Sequence, residues 1–184
     1  SDGKIHITCE EGVEGATKRE YETSTGEKGF KWEHLYTELS GMISSVKFFE
    51  GDYGKQLQLE ITDGKEKPVV LSLGTNSNFG EDAMKKLPAI DLTKPVKIVP
   101  YSFQDDNGKN KRGITVYQDG QKIQNYFYDS ANKVNINGYP DPVFPKGKKT
   151  LDTDSWKLYF MTARMFLVDF ITKHFKLDEQ SKDF

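Results

Sequence analysis

Between Trp32 and Tyr128 the chain arranges short alternating runs in one order: three strands, a short helix, then two strands. The clearest run is QLQLEI at 56–61, with Leu57, Leu59 and Ile61 on one side and Gln56, Gln58 and Glu60 on the other. A looser run from Leu35 to Phe49 precedes it across the turn EGDYGK. That run sets Met42, Ser44, Val46 and Phe48 against Ile43, Ser45, Lys47 and Phe49, and Gly41 within it marks a bulge or sharp bend. The turn signal DG at 63–64 leads into VVLSL, where Val69, Leu71 and Leu73 form a third strand. FGEDAMKKLPAI then puts Ala83, Met84 and Leu87 at helical spacing until Pro88 stops the helix. VKIVPYSF, the polar turn QDDNGKNK and RGITVYQ supply the last two strands, followed by a β-prone run, QKIQNYFYD. Every strand connection but the helical one is hairpin-like. The expectation is therefore a small closed antiparallel barrel.

The flanks differ in kind. Residues 1–29 hold one β-prone piece, Ile5 to Cys9, and then a polar, glycine-containing stretch that reads as a loop or mobile arm. The barrel is expected over 30–137. From 138 to 149, GYPDPVFPKGKK reads as an extended linker. A long helix follows, with Thr153 or Asp154 as its N-cap. Trp156, Phe160, Ala163, Leu167, Phe170 and Ile171 share one face of it, and Tyr159, Met165 and Phe166 widen that face. Such a helix packs on the barrel, on another subunit, or on both.

Composition narrows the function classes. A net charge of -2 argues against coating a duplex by bulk charge, while leaving room for a local basic groove with stacking aromatics. No run reaches the length of a membrane span, and the N-terminal residues lack a secretory pattern. With Cys9 as the only cysteine no internal disulfide forms, which fits a cytoplasmic location. His6, His34 and His174 lie in separate segments without ligand spacing, so neither a metal nor another cofactor is expected. No nucleophile elbow, phosphate-binding loop or dinucleotide fingerprint appears, and an enzyme is not expected.

Binding is the remaining class. With the aliphatic side chains turned inward, Lys97, Tyr101 and Phe103 share one parity on the fourth strand, and the fifth adds Tyr117. Lys47 lies on the first strand, Tyr53 and Lys55 in the turn after it, and Lys109, Lys111 and Arg112 in or beside the turn between strands four and five. Lys31 and Trp32 precede the first strand. Aromatics also populate strands because they suit a half-buried pleated surface, so packing is the commoner role for any one of them. The cations at 146–149 read first as a solvated face.

The segments LSGMISSVKFFEGDYGKQLQLEITDG, VVLSLG, AMKKL, VKIVPYSF and GITVYQDG together resemble the OB fold of single-stranded DNA-binding proteins, in particular phage-encoded ones. The resemblance covers about half the chain. It implies a five-stranded OB-fold barrel with a short helix between strands three and four and a C-terminal helical extension. It also implies sequence-tolerant binding of single-stranded DNA in replication or recombination, on the second and third strands and the loops EGDYGK and QDDNGKNK. The ending LDEQSKDF partly matches the acidic, aromatic-terminated tails that such proteins use to recruit replication partners. A different reading makes the barrel a scaffold. Its working surface is then the C-terminal helix, with Trp156, Phe160, Leu167 and Phe170 serving self-association or a protein partner.

Overall fold

The computed structural model describes residues 2–23, 25–51, 54–64 and 67–177. Tyr53 and the acidic tail at 178–184 lie outside the described residues. The chain is mainly β, with three sheets and two α-helices among the described residues. Strands β1 (Ile5–Cys9), β2 (Thr17–Glu22) and β3 (Lys28–Tyr36) form the first sheet, in the order β1-β3-β2. The main sheet holds β4 (Leu39–Gly51), β5 (Gly54–Thr62), β6 (Val69–Gly74), β7 (Val96–Gln104), β8 (Asn110–Gln118) and β9 (Gln121–Lys122). Its order is β6-β5-β4-β7-β8-β9. A small ribbon pairs β10 (Tyr128–Asp129) with β11 (Val134–Asn135). Helix α1 (Asn78–Lys86) continues into a 3-10 turn at Leu87–Ala89, and α2 (Thr153–His174) follows the proline-rich linker.

The expected closed five-stranded barrel does not form. The main sheet stays open: among the described residues β6 pairs only with β5, and β8 pairs with β7 and, at its end, with β9. The edge of β8 is occupied instead by side chains from α1. The backbone N–H of Ile114 donates to Asp82 Oδ2 at 2.8 Å, and Lys86 Nζ donates to the Ile114 carbonyl at 2.7 Å. Lys86 also pairs with Asp82. These bonds require the N–H and C=O of Ile114 to point away from β7. Its cross-strand partner there is Pro100, which has no N–H to offer and so fits a non-hydrogen-bonded pair.

Strand β4 bends where Gly41 stands. Residues 39–41 pair with β7, and from Met42 onward the strand pairs with β5. A Cβ at Gly41 would meet the Thr62 carbonyl oxygen at 2.7 Å, so only glycine lets the strands approach this closely. The register also shifts between Ile43 and Ser45. Because of that bulge, Ile43 and Val46 are both buried despite their opposite parity. They join Leu57, Leu59, Ile98, Ile114 and Val116, with Met84 and Leu87 from the α1 region and Leu167 and Ile171 from α2. Fully burying one such side chain contributes about 1.5–3 kcal/mol.

Residues 17–22, read as loop from their composition, form β2, and Lys28 to Tyr36 belong to β3 rather than to a lead-in to β4. The reason is electrostatic. Glu33 on β3 is 1% exposed and accepts Arg19 Nε at 2.7 Å, Arg19 Nη2 at 2.8 Å and His6 Nδ1 at 2.8 Å. Lys31 Nζ lies 3.4 Å from the same carboxylate. Polar side chains from all three strands therefore converge on one buried acid, and apolar alternation announces β1, as expected over Ile5 to Cys9, but not β2.

Helix α2 begins one residue earlier than expected. Asp152 is the N-cap, its carboxylate accepting the Ser155 N–H at 2.8 Å. Ala163, Leu167 and Ile171 are buried, and Phe166 and Phe170 meet Phe127 edge-on at centroid distances of 5.6 and 4.9 Å. Leu158, Phe160, Met161 and Met165 remain exposed. Among the described residues no helix is long and apolar enough to cross a membrane.

Candidate nucleic-acid interface

The β7–β8 hairpin gathers more of the expected binding residues than any other part of the fold. Alternation along β7 puts Lys97, Tyr101 and Phe103 on one face. Across the pair stand Tyr117 opposite Lys97, Gly113 opposite Tyr101 and Lys111 opposite Phe103. Lys109 lies at the hairpin turn, and Arg112 is exposed one residue beyond Lys111. Seven of the twelve candidates thus meet on one hairpin.

Local geometry explains how the rings are held. Gly113 leaves room for Tyr101 to lie across β8, where a Cβ would come within 2.8 Å of Tyr101 Cζ. Burial first, and then the Asp82 carboxylate, push the Tyr101 phenol up from its ordinary value, so the hydroxyl remains a donor. Tyr101 and Phe103 contact each other at a centroid distance of 5.8 Å, tilted by 42°. Phe103 is 56% exposed, so its ring is open to a partner. Lys97 Nζ sits 5.7 Å from the centre of the Tyr117 ring, within cation–π range.

Carboxylates temper the charge of this face. Lys97 lies 3.4 Å from Glu38, and Lys111 lies 3.6 Å from Asp105. The lysines and Glu38 are about half exposed, and such pairs contribute roughly 0–1 kcal/mol. A polyanion can displace them. Arg112 forms no ion pair among the described residues and lines a small pocket of about 230 Å³ with Tyr101, Asn78, Glu81, Asp82 and Lys85.

The remaining candidates lie elsewhere. Lys47 projects from β4 opposite Gln58, two residues from the exposed Phe49. Lys55 begins β5, with its Nζ 5.7 Å from the Phe48 ring centre. Lys31 and Trp32 belong to the separate β1-β3-β2 sheet. Lys31 is drawn to Glu33, and the half-buried Trp32 has a buried indole N–H without a hydrogen-bond partner among the described residues. Neither joins the hairpin face. On α2, Leu167 is wholly buried in the core and Phe170 packs on Phe127, while Trp156 and Phe160 stack together at 5.6 Å. Sequence reasoning passed over Lys157, Met161 and Arg164, which stand outward on that helix. Their signal was the spread of apolar residues around the whole helix circumference.

Among the described residues no group of three or more His, Cys, Asp or Glu side chains could hold a metal ion. No family model, no curated protein and no solved structure matches the chain. The resemblance to single-stranded DNA-binding proteins rests on the strand pattern alone.

Proposed function

We propose that the chain binds single-stranded DNA in a sequence-tolerant way, on the outward face of the β7–β8 hairpin. The observation that carries this reading is the meeting of Tyr101, Phe103 and Tyr117 with Lys97 and Lys111 on one face, with Lys109 at the turn and the exposed Arg112 beside Lys111 on the other parity. Single-strand binding needs flat rings for bases and nearby cations for phosphates, and every base offers a π face whatever its identity. Phe103 and Tyr117 supply stacking surfaces, Tyr101 supports Phe103, and the cations follow the backbone.

The test is fluorescence anisotropy of labelled oligo-dT across a salt series. Affinity falls steeply with salt, and each phosphate contact removed lowers the single-strand slope by about 0.7. Phe103→Ala weakens binding by about 1–3 kcal/mol. Lys111→Gln combined with Arg112→Gln flattens the salt dependence. Absence of oligo-dT binding at low salt refutes the reading, as does a Phe103→Ala, Tyr117→Ala variant that binds like the parent.

A further inference from the structure

Helix α2 is apolar on two sides. One side, through Ala163, Leu167 and Ile171, is buried in the core. The other carries Phe160, Met161, Met165 and Val168 at helical spacing, and these line a groove of about 650 Å³ whose opposite wall is Lys55, Thr75 and Asn76. Met161 is 54% exposed and Met165 61%, so two adjacent large apolar side chains stand open to water.

Charge selects what covers it. Among the described lining residues three cations reach the groove, Lys55, Lys157 and Arg164, against one carboxylate, Asp169. Arg164 is fixed in place by donating from Nε to Glu81 at 3.1 Å. Among the described residues Lys157 pairs only with Asp154, and both of those side chains are well exposed. We infer that this groove docks a segment of a partner protein that is acidic and carries large apolar side chains.

Two other occupants fit less well. A second copy brings the same three cations and one carboxylate among the described lining residues, so even an antiparallel pairing that sets Lys157 against Asp169 offers one carboxylate where an acidic segment offers several. Single-stranded nucleic acid needs open ring faces, yet the one aromatic among the described lining residues, Phe160, is stacked on Trp156 with an interplanar angle of 22°. Methionines, by contrast, are deformable and adapt to protein side chains of varied shape.

The test uses the full chain and two labelled peptides of about four helical turns. One carries leucine and phenylalanine at every third or fourth position with glutamate between, and the other has lysine in place of each glutamate. The acidic peptide is expected to bind at least about tenfold more tightly than its charge-reversed counterpart and to weaken with salt. Met161→Glu with Met165→Glu abolishes that binding without altering the circular dichroism, because both positions are exposed. Lys157→Glu, a purely surface change, weakens it separately. Equal binding of the two peptides overturns the proposal, as does unchanged binding by the methionine variant. If that variant loses oligo-dT binding, or if it shifts the sedimentation of an assembled parent, the groove serves nucleic acid or a second copy and the proposal also falls. Failure of the hairpin reading is recognised independently, by Phe103→Ala and Tyr117→Ala with oligo-dT.

Discussion

Replacing Glu33 by glutamine removes the one negative charge on which β1, β2 and β3 converge, and leaves Arg19, His6 and Lys31 facing a neutral amide. The size of the effect follows from how firmly the carboxylate is held in its charged form. The paired Arg19 hydrogen bonds are the largest cause; burial opposes them, His6 adds to them, and the carboxyl falls from 4.5 to about 2. That displacement corresponds to about 3 kcal/mol of stability, an upper figure because glutamine keeps one acceptor. The folded-state value lies below the unfolded one. The contribution is therefore complete above about pH 4.5 and is lost as the pH falls toward about 2. Urea titrations of parent and Glu33→Gln, followed by circular dichroism near pH 7 and again near pH 2.5, read it directly. The parent should lead near neutrality, and the two should approach each other in acid. His6 gives a second reading. Burial lowers its pKa, but the hydrogen bonds it donates to Asp2 and Glu33 together raise it, so in Glu33→Gln its NMR titration should move down. Coincident urea midpoints near pH 7, or a parent advantage undiminished in acid, would refute the account of the first sheet.

Other outcomes follow from the α1 region. Gly80→Ala places a Cβ against the Gly74 carbonyl, which cannot retreat because Ser77 Oγ bridges it to the Gly80 N–H. Despite the better helix propensity of alanine, the thermal midpoint should drop, with a cost of about 1–3 kcal/mol; a rise contradicts the close contact. Asp82→Ala strands the Ile114 N–H and the buried Lys86, costing about 1–3 kcal/mol or more. Adding Lys86→Met should restore part of that loss in the same urea assay. No recovery in the double variant means that the Asp82–Lys86 pair does not stabilise the edge.

The order of strands from β4 to β8, with α1 between β6 and β7, was legible because apolar alternation and turn residues record it. The inward positions Leu57, Leu59, Ile98, Ile114 and Val116 follow from parity and are all buried. Parity alone could not decide between Ile43 and Val46. The bulge accepts both, and Gly41 hinted at a bend without showing that pairing passes there from β7 to β5. Closure of the sheet was not legible, since it turns on two polar side chains, Asp82 and Lys86, that look like ordinary helix surface. The β1-β3-β2 sheet was legible in part: Ile5 to Cys9 reads as β-prone and forms β1, but β2 reads as loop and β3 as a lead-in to the first barrel strand. These strands are tied together by Arg19, His6 and Glu33, and sequence periodicity registers greasy side chains rather than matched charges. For the candidate interface, alternation located Lys97, Tyr101 and Phe103 together and turn proximity located Lys109, Lys111 and Arg112. It could not reveal that Gly113 makes space for the Tyr101 ring.

The helix-borne seal on β8 also bears on how the molecule behaves in a crowd. An unpaired strand edge is a template on which another chain can add, and sheets left open are prone to grow that way. At Ile114 the backbone groups that would recruit a neighbour are already satisfied by an acid and a base. Extending the sheet through this edge would mean expelling a lysine that is 7% exposed together with its carboxylate. The edge of β6 carries no such guard among the described residues. Within the main sheet, strand addition should thus favour Val69–Gly74 and spare β8, making α1 as much a stopper against polymerisation as a piece of the core.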